Sequence, residues 1–277
     1  MTGPSHLSYS GLSTYKECGE KFRLTRLVKV PEVPGWALIG GSAVHTATEN
    51  LDRVLMGVEA TGPTTFMEAF EEEIRKRIDS TGTPESEFRI SGKKSVAWPN
   101  KEDRMWWQYH GQSFVENYVQ WQQRYTGTIW ITPEGVPAIE ISVDANYGGA
   151  VVPGYIDRIF EEVNPRTRRK TLRVIDLKAG RTTPTDPLQL AVYAWGLPNL
   201  WPRPVIGSYF MARDGMLVGN YDLTDSLGML QYEFGGAWKA IQAGYFPARQ
   251  SFMCNYCSVR DFCWAKEGDL SEQVKPF

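Results

Sequence analysis

The four cysteines of this chain are split between its two ends. Cys18 stands alone, and Cys254, Cys257 and Cys263 follow as C-x2-C-x5-C. Two thiols separated by two residues can bind one metal centre from a single turn, but Cys18 lies 236 positions before Cys254 and must be brought to it by the fold. A shared centre therefore requires the two ends of the chain to meet. The sequence opens with no basic region followed by an apolar stretch and contains no run of about 18 apolar residues, so an unexported, cytoplasmic protein without membrane contact is expected. In a reducing compartment disulfides are disfavoured, which makes metal binding the expected use of the CxxC. Four thiolates hold either zinc or an iron-sulfur cube, and ligand count does not decide between them.

With 277 residues, 42% hydrophobic and 13% aromatic, the chain can bury a sizeable core, and it reads as one α/β domain over 1–277 with helical additions. Leu12, Tyr15, Phe22 and Leu27 among polar neighbours predict one or two helical segments over 10–28, with Cys18 on or beside them. Gly40-Gly41 precede a second helix over 42–54, in which His45 and Glu49 share a face away from Val44, Ala47 and Leu51. Thr65 and Glu68 are spaced as a capping box for a helix over 64–78. The polar stretch 80–100, broken by Gly82, Pro84, Gly92 and Pro99, reads as a loop or lid. A long helix over 102–125 carries seven aromatic rings, most at core spacing, so that a helical insertion occupies about 57–127. Strand patterns follow over 128–132, 138–143, 154–162 and 171–177, then a helix over 184–195, a hairpin turning at Asp214-Gly215 and a helix over 224–243.

A net charge of −2 gives no global sign of a polyanionic partner, but charge is unevenly distributed. Seven basic residues fall within 164–181 with Asp176 the single acid, and Arg23, Arg26 and Lys29 form a second group. Taken alone, both are ordinary solvated surface. Three polar signatures stand between the cysteine segments: Gly41-Ser-Ala-Val-His45, Gly154-Tyr-Ile-Asp157-Arg158 and Val174-Ile-Asp176-Leu-Lys178, followed by Gln189-Leu-Ala-Val-Tyr193. From Ser8 to Cys263 the chain resembles the RecB-like branch of the PD-(D/E)xK nucleases, and within it the small iron-sulfur members found in phage genomes and beside CRISPR systems. It departs from their pattern at Gly19, where proline is frequent, and at Ala179, where a hydroxyl residue is common.

The resemblance implies a restriction-endonuclease-like mixed β-sheet flanked by helices, with the terminal segments near 15–20 and 254–263 joined by a [4Fe-4S] cluster on Cys18, Cys254, Cys257 and Cys263. It implies that His45, Asp157 and Asp176 bind Mg²⁺ or Mn²⁺, with the Leu177 carbonyl completing the site. Lys178 would orient the attacking water, and Gln189 and Tyr193 would contact the active site and the DNA strand. The chemistry agrees with those residue types. Phosphodiester hydrolysis needs an activated water and relief of charge on phosphate and leaving group, which divalent ions on hard oxygen ligands supply. The period of a strand also places Lys178 on the same face as Asp176, two residues away.

The expected activity is a metal-dependent DNA exonuclease on single strands or free ends, in phage recombination, DNA processing or CRISPR adaptation, in a bacterial or phage-infected cell. A non-catalytic iron-sulfur DNA-binding module is the alternative. Arg166, Arg168, Arg169 and Lys170, between the two aspartate strands, are candidate DNA-backbone contacts near the catalytic centre, the competing reading being a hairpin tip at the opposite end of the strands from the metals. No G-x-x-x-x-G-K-[ST] phosphate loop is present, so no helicase motor is expected.

Overall fold

The computed structural model describes residues 3–91 and 101–266; within the expected loop or lid, residues 92–100 lie outside the described residues. Helix α1 (Tyr9–Glu17) opens at Ser8, whose side chain accepts from the Gly11 amide, and stops at Cys18, whose extended backbone separates it from α2 (Gly19–Phe22). A π-helical turn over Arg23–Val28 follows. Within it Arg23 is buried and donates to both carboxylate oxygens of Glu20 at 2.8 Å, so it is no part of a basic surface group with Arg26 and Lys29.

Helix α3 (Trp36–Leu55) begins six residues earlier than expected, and Gly40 and Gly41 lie inside it instead of before it. The cause is packing. A Cβ on Gly40 would stand 2.1 Å from Cδ2 of Trp107, so glycine is what lets that ring lie against the helix backbone. Helix α4 (Phe66–Thr81) is capped by Thr65, which accepts from the Glu68 amide as the capping-box spacing predicts. Helix α5 (Arg104–Arg124) is capped by Asp103, which accepts from the Trp106 amide at 2.9 Å. Trp107, Phe114 and Tyr118 of α5 join Trp36, Ile39, Phe66 and Phe70 in one buried cluster, whereas Tyr109 is 83% exposed.

Strands β1 (Thr128–Ile129), β2 (Ile139–Tyr147), β3 (Ala150–Val163), β4 (Lys170–Lys178), β5 (Ile206–Met211) and β6 (Met216–Asp222) make a mixed six-stranded sheet in the order β1-β3-β4-β5-β6, with β2 also pairing β3. β3 and β4 are antiparallel, and β4 and β5 are parallel through the crossover helix α6 (Leu188–Gly196). α6 begins at Leu188 rather than 184 because a residue preceding proline is steered away from helical backbone, and Pro184 and Pro187 impose this twice. β5 and β6 form the expected hairpin, with Gly215 at φ 64 in its turn.

The described residues within 33–143 and 155–225 form one compact unit and those within 1–32, 144–154 and 226–277 another. The first contains the α3–α5 cluster and most of the sheet. In the second, the Leu7 amide donates to the Val151 carbonyl at 2.8 Å, Phe22 stacks on Phe246, and Tyr147 packs on Phe234 of helix α7 (Leu227–Gln242). Among the described residues no helix is long and apolar enough to cross a membrane.

Candidate metal centre and four-cysteine cavity

β3 and β4 pair with Arg158 opposite Ile175, and extending that register by one residue sets Asp157 beside Asp176. Lys178 Nζ stands 2.7 Å from Asp176 Oδ2, as the strand period predicts. Helix α6 supplies the next side chains. Lys178 Nζ donates to Gln189 Oε1 at 2.8 Å, Gln189 Nε2 donates to the Tyr193 hydroxyl at 2.7 Å, and that hydroxyl donates to Asp176 Oδ1 at 3.1 Å. Three side chains thus close a ring with the buried aspartate. The backbone amide of Leu177 donates to Asp157 Oδ2 at 2.7 Å, a contact that the expectation for its carbonyl did not include.

Helix α3 brings His45 to the same carboxylate, with Nδ1 3.5 Å from Asp157 Oδ2. Glu140, which the sequence reading did not single out, joins them. Ligand atoms of His45, Glu140 and Asp157 lie within 4.8 Å of one another, the one such group of metal-binding side chains among the described residues. Glu140 has φ 51, a left-handed backbone setting inside β2 that few residues other than glycine adopt. Strand alternation therefore could not indicate where its side chain points.

Burial pushes the Asp176 carboxyl from its ordinary 3.8 to about 6 against the pull of Lys178, and Asp157 adds to the rise. Burial also pushes Glu140 up to about 8, with Asp157 adding and Arg158 opposing. The Tyr193 hydroxyl is raised well above its usual range by burial and by Asp176. Asp176 Oδ2 is buried and faces the Lys178 ammonium at 2.7 Å. Two carboxyl groups and an imidazole within 4.8 Å of one another, with Asp176 beside Asp157 but outside that group, fit a hard divalent cation such as Mg²⁺ or Mn²⁺.

Behind these groups lies a second set of charges. Asp52, two turns after His45 on α3, is fully buried and accepts from the Tyr118 hydroxyl at 2.7 Å, from Gln122 Nε2 at 2.6 Å and from Arg158 Nε. Arg158 Nη1 in turn donates to the Asp157 carbonyl at 2.6 Å and lies 3.5 Å from Glu140 Oε1. Arg158 is thus fixed by the helix that carries His45 while it holds the backbone of Asp157.

In the other unit, Cys18, Cys254, Cys257 and Cys263 all line one cavity of about 100 Å³. Cys254 lies in a 3-10 turn over Phe252–Tyr256, and Cys257 immediately follows it. Cys18 Sγ accepts from the Arg249 amide at 3.4 Å, and Cys254 Sγ accepts from the Ser251 amide at 3.4 Å. Burial raises the Cys263 thiol, and Glu20, Cys18 and Cys257 add to the rise against the Ala265 backbone. Among the described residues no three of these thiols come within 4.8 Å of one another.

The basic candidates are elsewhere. Val163 pairs with Lys170, so Arg166, Arg168 and Arg169 occupy the turn at the end of the ladder opposite Asp157. Six residues of strand, about 20 Å, separate the two ends. The expected proximity of this tip to the catalytic centre is thereby corrected, and Lys170 is already paired with Glu161 at 2.8 Å.

The family described as the PD-(D/E)XK nuclease superfamily matches residues 6–264. The Gene 69 protein of Mycobacterium phage L5 is 30% identical, over 92% of this chain and 95% of the relative. The Gene 69 protein of Mycobacterium phage D29 is 29% identical with the same coverage. Among solved structures, SSO0001 is matched over 92% of this chain and 95% of its own at 11% identity, with a TM-score of 0.33, too low to argue from.

Proposed function

Since this chain belongs to the PD-(D/E)XK nuclease superfamily, we propose that it is a divalent-metal-dependent DNA exonuclease acting on single strands or free ends. The observation that carries the reading is the convergence of His45, Asp157, Asp176 and Lys178 from one helix and two paired strands. His45, Glu140, Asp157 and Asp176 would hold the metal, with the Leu177 carbonyl as a further ligand. A divalent ion there supplies activation of water and relief of phosphate charge. Lys178, steered by Gln189, orients the attacking water and offsets negative charge in the transition state. Tyr193 holds Asp176 in place through its hydroxyl. Arg166, Arg168 and Arg169 would meet substrate backbone far from the bond that is cut.

The four thiols we assign to a [4Fe-4S] cluster. Their shared cavity, and one distant cysteine before C-x2-C-x5-C where most zinc sites use two local CxxC pairs, support this reading. Such a staple restrains the unfolded chain by closing a very long loop. Relatives in two mycobacterial phages favour phage DNA recombination or processing over CRISPR adaptation.

The test is digestion of end-labelled single strands in Mn²⁺ alongside a closed single-stranded circle. Degradation of the linear strand alone is expected. Cleavage of the circle at the same rate would replace the exonuclease by an endonuclease, and no cleavage of either would leave the non-catalytic iron-sulfur module.

A further inference from the structure

The unit that carries the cysteines also contains a groove of about 540 Å³ to which nothing above assigns a role. Its walls present Tyr15 and Lys16 of α1, Tyr232 and Lys239 of α7, and Tyr245 and Arg249 beyond α7. Glu233 is the one acid among its lining residues and is paired with Lys16 at 2.9 Å, so three cations face one carboxylate in a chain whose overall charge is −2. The aromatic residues are unusually open. Tyr232 is 81% and Tyr245 63% exposed, although rings of this size are normally covered, and the Tyr15 hydroxyl anchors the Tyr245 backbone at 2.8 Å. Part of the wall is bare backbone, because a Cβ on Gly148 would stand 2.6 Å from the Gly235 Cα.

We propose that this groove binds single-stranded DNA as a site separate from the metal centre, with Lys239 and Arg249, which unlike Lys16 have no carboxylate partner in the groove, on the phosphates and Tyr232 and Tyr245 stacked on bases. The assignment rests on the nuclease reading for the identity of the polymer. The physical basis is independent of it, since cations tracking a backbone beside open aromatic faces is how proteins hold single strands without reading sequence. Arg249 also borders the cysteine cavity: its amide donates to Cys18 Sγ at 3.4 Å and its carbonyl faces Cys254 Sγ at 3.9 Å. The cysteine centre thereby sets where one of the groove's three cations stands.

Binding of a fluorescent oligothymidylate to the full chain, measured in EDTA across a potassium chloride series, tests the proposal. Tyr232→Ala should weaken binding about tenfold. Lys239→Ala should weaken it and lower the salt slope by about 0.7, one phosphate contact on a single strand. Gly236→Glu places a carboxylate in the groove at a position where a Cβ meets nothing within 4 Å, so it should reduce affinity without disturbing the helix. Hydrolysis of thymidine 5′-p-nitrophenyl phosphate in Mn²⁺ reports the metal centre alone and should be unchanged in all three. If the wild type cleaves neither this ester nor the end-labelled strand, the nuclease reading fails while the groove remains measurable. Wild-type affinity and salt slope in all three variants would overturn the groove assignment, as would competition by polyglutamate equal to that by unlabelled oligothymidylate.

Discussion

Replacing Asp176 by asparagine should stabilise the metal-free protein while abolishing its cleavage. Asp176 is 1% exposed, and its carboxyl is pushed from 3.8 to about 6 chiefly by burial. A folded-state value above the unfolded one means that between these values the native state binds more protons, so stability declines as pH rises from about 4 to about 6 and stays reduced above. Roughly two units at about 1.4 kcal/mol each amount to about 3 kcal/mol at pH 8. Asparagine keeps the shape without the charge. Lys178 loses its counter-ion, but its side chain is 29% exposed and retains Gln189, so that loss is screened. For a chain of this length about 3 kcal/mol corresponds to a rise in Tm of about 5 °C in EDTA at pH 8, vanishing at pH 4. Mn²⁺ nearly cancels the difference. An ion at a hundredfold excess over its Kd stabilises the wild type by about 2.7 kcal/mol and should stabilise the variant far less. Scanning calorimetry from pH 4 to pH 8, with EDTA or Mn²⁺ and with cleavage measured on the same samples, checks each step. A lower Tm for the variant in EDTA at pH 8, or equal Mn²⁺ stabilisation of both proteins, would refute the reasoning.

Lys178→Ala should abolish cleavage but keep the Mn²⁺-dependent rise in Tm, whereas Asp157→Ala loses both; retained cleavage in either variant would count against the site. Glu140 holds its proton below about pH 8, so wild-type Mn²⁺ affinity should fall as pH drops from 8 to 6; in Glu140→Gln it should be weaker at pH 8 and less pH-dependent, as isothermal titration would reveal. Protein purified without oxygen should be brown with about four irons per chain, and Cys18→Ser should lose iron as fully as Cys257→Ser. Colourless protein with stoichiometric zinc would exclude the cluster.

The geometry of the candidate metal centre depends on a buried ion pair behind it. Arg158 and Asp52 are an ion pair without exposure, and such a pair adds little net stability because both charges are desolvated. Its effect is positional. Asp52 lies seven residues after His45, two turns along α3, so the helix that presents the imidazole also fixes the guanidinium that grips the Asp157 carbonyl. A rotation of α3 that displaced His45 would break the Asp52 contacts with Tyr118, Gln122 and Arg158 together. The ligands from helix and strand therefore move as one body, which preorganises them for a cation before it binds.

How much of this was legible in the sequence follows from which side chains obey a local period. Lys178 and Asp176 obey the strand period, and Gln189 and Tyr193 the helix period, so their meeting needed one further fact, the parallel crossover from β4 to β5. The capping box at Thr65 was equally local. Gly40 misled because glycine as a boundary signal is a statement about backbone, whereas here it answers to a ring arriving from α5. The basic turn misled for a related reason: its charges lie between the two aspartates in sequence, but an antiparallel hairpin sends whatever lies between its strands to the far end. Glu140 is the instructive omission. Its positive φ removes it from the alternation of its own strand, and a carboxyl residue held in that setting beside Asp157 and Arg158 persists only if the surroundings require it. The local conflict that hid Glu140 from sequence reasoning is thus also the structural reason to assign it to the metal centre.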